Sequence, residues 1–122
     1  MRDTFNNWYD KKMRATKELS AETDRAEKTL EASSTIAIVG LSRSFHKDSQ
    51  FVGRYLINAG YNIVPVNPNA EEILGQKAFP DIKSIPFAVD VVDVFLPPVL
   101  IHKAVDQTLE LDPKPRAIWL QL

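Results

Sequence analysis

The chain of 122 residues contains no cysteine. That excludes disulfides and thiolate metal sites, and it accords with a reducing compartment. Glycine is scarce, with four in the whole chain, so a three-glycine dinucleotide loop would consume nearly all of them. No apolar run approaches the roughly 20 residues that a membrane helix needs. The opening stretch MRDTFNNWYDKKMR lacks the apolar segment of a signal peptide. An excess of charge is missing too: 15 basic and 16 acidic side chains leave a formal net charge of −1. No global field gathers nucleic acid or an anionic membrane, so any anion site has to be local. The expectation is a cytoplasmic, soluble protein with neither partner. Hydrophobic content of 44% with 25% charged residues fits one globular domain with its own core.

What is present begins with a charge-rich segment. Residues 1–33 hold neither Gly nor Pro but include good helix formers such as Lys17-Glu18-Leu19 and Ala26-Glu27-Lys28. Their apolar positions (Met13, Leu19, Leu30) are sparse, which predicts a helical N-terminal extension, one helix or a pair, laid on the domain. From residue 35 strands alternate with helices. Residues 36–39 read as a strand, 49–59 as a helix stopped by Gly60, and 61–66 as a second strand closed by Asn67-Pro68-Asn69. A helical turn is expected over 70–74, with Gly75 as its stop. Residues 89–95 form a nearly continuous β-branched run, the pattern of a strand buried on both faces. A helix over 100–111 and a strand over 116–122 follow. Strands joined through helices imply right-handed crossovers and a parallel sheet. The fold class expected is α/β: a Rossmann-like, doubly wound, three-layer α/β/α domain over 34–122. No internal repeat is visible. Since the chain stops on a strand, a further helix and strand are expected in a longer chain, and without them the sheet leaves an apolar edge open to pairing.

In such sheets ligands bind beyond the carboxyl ends of the strands. The first end reads Gly40-Leu41-Ser42-Arg43. Gly40 removes a Cβ from the path of a phosphate, Ser42 offers a hydroxyl, and the following helix start favours an anion. Arg43, His46, Lys47 and Arg54 bring basic groups to the same short segment. At the second end stands Asn67, where NAD-binding domains place an acid for the ribose hydroxyls. An amide does not repel a phosphorylated ribose, so the pattern leans toward NADP or coenzyme A. No arginine follows at 67–74 to favour NADP. The third end, Phe95-Leu96-Pro97-Pro98, offers an apolar wall.

Catalytic candidates are few. His46 and Asp48 read as a solvated pair and His102 as a surface residue. Asp93, inside a run of valines, reads as a support for the first loop. No Ser-His-Asp order, metal-ligand cluster or GKS/GKT loop is present. No catalytic residue and no metal ligand is therefore assigned.

The strings IAIVGLS, FVGRYLINAGYNIVPVNPNAEEILGQKAFP, VDVVDVFLPP and AIWLQL together resemble the small stand-alone coenzyme A-binding proteins of bacteria. These share the Rossmann-like CoA-binding domain of the succinyl-CoA synthetase α-subunit. The resemblance covers about residues 35–122. It implies one domain that binds coenzyme A or an acyl-CoA as a non-catalytic binding or regulatory module. By position, Gly40, Leu41, Ser42, Arg43 and the loop through Lys47 to Ser49 surround the pyrophosphate. Asn67 and Pro68 border the adenosine, with Phe95 and Pro97 across the cleft. Where the family commonly runs basic-Pro-Ser-Tyr, this chain has Lys47-Asp48-Ser49-Gln50. Two alternatives stay open: a piece of an acyl-CoA synthetase, and an NAD(P)-sensing domain. A homo-oligomer is compatible with either.

Overall fold

The computed structural model describes residues 20–121. The expected extension over 1–33 therefore lies outside the described residues up to position 19, as does the end of the last strand at Leu122. A helix α1 (Ser20–Ala32) leads into β1 (Thr35–Val39), α2 (Asp48–Asn58) and β2 (Asn62–Val66). Two short strands, β3 (Glu72–Ile73) and β4 (Gln76–Lys77), and a 3-10 turn (Ile82–Ser84) precede β5 (Val91–Val94), α3 (Pro98–Leu109) and β6 (Ala117–Leu120).

The four long strands form a parallel sheet in the order β2-β1-β5-β6. The chain winds outward from β1 to β2, then crosses back to build β5 and β6 on the other side. The reversal of direction lies between β1 and β5, as the doubly wound expectation requires. Successive side chains of a strand face opposite layers. Ile36, Ile38, Val91 and Trp119 accordingly join Val52 and Leu56 of α2 and Ala26 of α1 in one core cluster. Ala37, Val39, Val92 and Val94 join Ala104 of α3, Phe79 and Ile82 in the other. Burying each such aliphatic side chain contributes on the order of 1.5–3 kcal/mol. Both faces of the sheet are covered, which explains why β1 and β5 read as nearly continuous apolar runs, Asp93 excepted.

Pro65 sits inside β2 without breaking the sheet. Its carbonyl accepts from the Phe79 N–H at 2.9 Å on the strand's outer side, so its donorless nitrogen faces that side too. The helix over 98–109 begins earlier than its apolar pattern predicts because Pro98 occupies the first helical turn, where proline costs no hydrogen bond.

The helical turn expected over 70–74 is not formed. Residues 72–77 are an antiparallel hairpin, with Glu72 paired to Lys77 and Ile73 to Gln76. Leu74 (φ 56°) and Gly75 (φ 75°) make its two-residue turn, both in the left-handed region that a tight hairpin requires. Gly75 therefore serves the turn and does not stop a helix.

At the amino ends of the strands, Asp90 ties three elements together. One carboxylate oxygen accepts from the backbone N–H groups of Ser34 (2.8 Å) and Thr35 (3.0 Å). The other lies 3.8 Å from Nε of Arg116. The Ser34 and Thr35 amides, helped by the Ser34 hydroxyl and Arg116, hold the Asp90 carboxyl below the ordinary carboxylate range against a modest opposing effect of burial. On α1, the carbonyl of Leu30 accepts from the Tyr61 hydroxyl at 2.9 Å.

Candidate functional site

At the opposite, carboxyl ends of the strands, a cleft of about 570 Å³ opens above the β1–β5 boundary. That volume is ordinary for a small-molecule site. Gly40 and Ser42 line its floor, Lys47 and Ser49 the start of α2, and Phe95 and Leu96 its far side.

The loop from β1 to α2 is built by its own polar side chains. Ser49 Oγ accepts from the Ser42 N–H (3.0 Å), and Ser42 Oγ accepts from the Ser44 N–H (2.9 Å). Gln50 Nε2 reaches the Arg43 carbonyl at 3.3 Å. Lys47 precedes the helix in an extended conformation and makes no side-chain cap. The first N–H groups of a helix have no partner within it, so this end carries the partial positive charge that favours a phosphate.

Gly40 has a reason for being glycine that differs from the one expected. Its φ is +82°, and a Cβ built there would lie 2.1 Å from the carbonyl oxygen of Phe95. The missing side chain lets the ends of β1 and β5 approach each other. Leu41 is fully buried and belongs to the core beneath the loop. Arg43 is exposed on the loop and does not line the cleft.

Arg54, expected as one of the basic groups for a phosphate, is engaged elsewhere. Its guanidinium stacks over Phe45 (3.9 Å to the ring centroid) and Phe51 (4.6 Å), and it donates to the Gln50 side chain. The result clasps the exposed part of the loop to α2.

Asn67 works as a fastener. Its Nδ2 donates to the Leu41 carbonyl (3.0 Å), and its Oδ1 accepts from the Asn69 N–H (2.8 Å). An acid at this position could not donate to Leu41, which accounts for the amide without reference to a ligand. Pro68 lines a second cleft of about 680 Å³ beyond the end of β2, with Ala70, Lys77 and Pro80. Pro97 is exposed at the start of α3, outside both clefts.

Five of the ten residues expected at the site thus share one cleft: Gly40, Ser42, Lys47, Ser49 and Phe95. The others support it, border the second cleft or stand apart. Of the other four lining residues, His46 and Asp48 belong to the segment expected around the pyrophosphate and Leu96 to the expected apolar wall, whereas Gln121 was not expected there. His46, on the loop, and Asp48, the first residue of α2, are exposed where they line the cleft. Asp93 is wholly buried, and its Oδ1 accepts from Gln121 Nε2 at 2.9 Å. Asp93 is thus tied to the residue after β6, a partner the sequence reading did not give it, because β5 and β6 are neighbours.

Among the described residues, no helix is long and apolar enough to cross a membrane, and no cluster of His, Asp and Glu could hold a metal.

A helix start facing a cleft at the switch point of a parallel sheet is a general phosphate-binding arrangement, shared by several nucleotide ligands. Among known families, the CoA binding domain family matches residues 34–122. The chain belongs to the CoA-binding domain family. Its domain is 39% identical over 83 residues to the uncharacterized protein YneT of Bacillus subtilis, covering 68% of this chain and 62% of that one. It is 32% identical over 72 residues to the ADP-forming acetate–CoA ligase I of Archaeoglobus fulgidus, covering 59% of this chain and 10% of the ligase. The chain thus spans less than two thirds of these curated relatives. Among solved structures, the cell-free ID.343 protein of Thermus thermophilus superposes with a TM-score of 0.72 at 31% identity. That match covers 80% of this chain and 72% of the other. The Rossmann-like α/β fold of the CoA-binding domain is common to both.

The residues fit such a ligand in kind. The cleft has hydroxyl groups at Ser42 and Ser49, a cation at Lys47, and apolar walls at Phe95 and Leu96. Asp48 is the one acid among the lining residues and opposes an anion there.

Proposed function

We propose that this CoA-binding domain holds coenzyme A or an acyl-CoA in the 570 Å³ cleft as a non-catalytic binding module of the cytoplasm. The observation that carries the reading is the meeting of the α2 start with Ser42, Lys47 and Ser49 at the switch point of the sheet. In this arrangement the pyrophosphate lies over the start of α2. The adenosine extends toward the end of β2, where Asn67 and Pro68 stand beside the second cleft. The remaining arm runs the other way, past Phe95 and Leu96. Arg43 adds positive charge at the entrance without direct contact.

Calorimetric titration with CoA, acetyl-CoA, NAD and NADP tests this reading. Micromolar binding of CoA species alone is the expected result, and a preference for either nicotinamide nucleotide overturns it. Ser42→Glu places a carboxylate where the pyrophosphate lies and is expected to abolish binding without unfolding the domain.

A second reading has a specific observation behind it, the 32% identity with an ADP-forming acetate–CoA ligase. On that reading the chain supplies the CoA site for thioester chemistry completed by other protein segments. Release of free CoA from acetyl-CoA, ADP and phosphate that needs both the chain and a partner supplying the remaining ligase segments would favour it over a pure binding module.

A further inference from the structure

We infer that Gln121 recognises the arm of the ligand beyond the pyrophosphate, by accepting a hydrogen bond from an amide N–H, and that Asp93 is the positioning residue that turns Gln121 to do so. The inference rests on the CoA reading and extends it to the specificity of the same cleft.

Gln121 directly follows β6, and its N–H donates to the Val94 carbonyl at 2.9 Å, so the ladder continues through it. It lines the cleft together with Gly40, Ser42, Phe95 and Leu96. With pyrophosphate over α2 and adenosine toward β2, a ligand arm has only the β5 and β6 ends left to cross. Gln121 stands at that crossing. The pantetheine arm of CoA carries two amides, each with one N–H donor.

Asp93 is wholly buried directly across from this residue's strand, and it receives the Nε2 group of Gln121. Because Asp93 Oδ1 takes the NH₂ end of the amide, the carbonyl end is what Gln121 offers to the cleft. The amide oxygen has two lone pairs and can take a ligand donor in addition to any protein one. A buried Asp93 thus converts an ambivalent amide into an acceptor of defined direction.

The test uses the full chain and two probes: CoA, and 3′-phosphoadenosine 5′-diphosphate, which is CoA without the pantetheine arm. Gln121→Met keeps length and removes polarity. CoA affinity is expected to fall about three- to tenfold, the range for one neutral hydrogen bond, with the armless probe unaffected. Asp93→Asn can present its own N–H and lets the Gln121 amide turn, so it should selectively weaken CoA about two- to fivefold. In the Gln121→Met background it should cost nothing further, because the group it positions is gone. Equal weakening of both probes by Gln121→Met, or none of either, overturns the assignment of Gln121. Additive losses from the two substitutions overturn the positioning role of Asp93. Wild-type protein that binds the armless probe as tightly as CoA refutes the inference alone. Wild-type protein that binds neither refutes the CoA reading beneath it.

Discussion

Replacing Gly40 by alanine tests the close approach on which the cleft floor depends. The added Cβ would stand 2.1 Å from the Phe95 carbonyl oxygen, and contacts below 3.0 Å essentially never occur, so the two strand ends must part by about 0.9 Å. Two hydrogen bonds oppose that movement: Phe95 N–H to Val39 O (2.8 Å) and Gly40 N–H to Val66 O (2.9 Å). Weakening both costs about 1–3 kcal/mol. Holding alanine at φ +82° adds roughly 1 kcal/mol, and disturbed packing around Leu96 about 1 more. The total is about 3–5 kcal/mol, a large share of the 5–15 kcal/mol typical of a domain. Gly75→Ala is the control, because its φ of +75° is similar but no heavy atom lies within 4 Å of the new Cβ. It should cost roughly 1 kcal/mol for backbone strain alone. Urea unfolding followed by circular dichroism measures both, and thermal midpoints should drop by roughly 4–8 °C per kcal/mol. Equal losses at the two positions would refute the argument, since they would mean that the contact with Phe95 contributes nothing beyond the dihedral angle.

The Asp90 carboxyl has a folded-state pKa below its ordinary value, so its contribution is complete above about pH 4 and disappears as pH falls through the folded value. Asp90→Asn should lower stability at pH 7 by about 1–2 kcal/mol and flatten the loss in acid; an unchanged slope in pH-dependent urea midpoints would count against the Ser34–Thr35 tie. Asp48→Asn removes the acid at the cleft and should tighten CoA binding roughly two- to fivefold at low ionic strength, with the gain shrinking as salt is raised in the same titration. Tyr61→Phe deletes the hydroxyl that holds the Leu30 carbonyl and should cost about 1 kcal/mol. Faster proteolysis within α1, with the sheet still protected, is the pattern to look for.

Most of the framework could be read from residue patterns. β-branched runs marked β1 and β5 because both faces of the sheet are covered, and helical spacing at Val52 and Leu56 marked α2. The hairpin at 72–77 escaped notice because leucine is an uncommon choice at a positive φ, and the Leu74-Gly75 pair looks like a helix stop. Gly40 could be flagged as special, but a single chain does not reveal that a carbonyl from residue 95 fills the space. Arg54 and the ring of Phe45 are nine positions apart, and only a folded loop brings a cation onto that face. Gln121 carried a faint signal: it is a polar residue set in the apolar run of the last strand, as Asp93 is in its own. Pairing the two requires knowing that β5 and β6 are neighbours.

The family match starts at residue 34, yet Ala26 of α1 belongs to the same core cluster as Ile36, Ile63, Val91 and Trp119. The evolutionary unit and the folding unit therefore have different borders. A gene fragment cut at the start of the match would remove α1 from beside α2 and expose part of the cluster that Ala26 helps to close. A domain transplanted into another protein would need either this helix or a substitute from its new host. Whatever segment comes before the sheet is thus free to vary in sequence only as long as it keeps apolar residues where Ala26 and Leu30 meet this cluster.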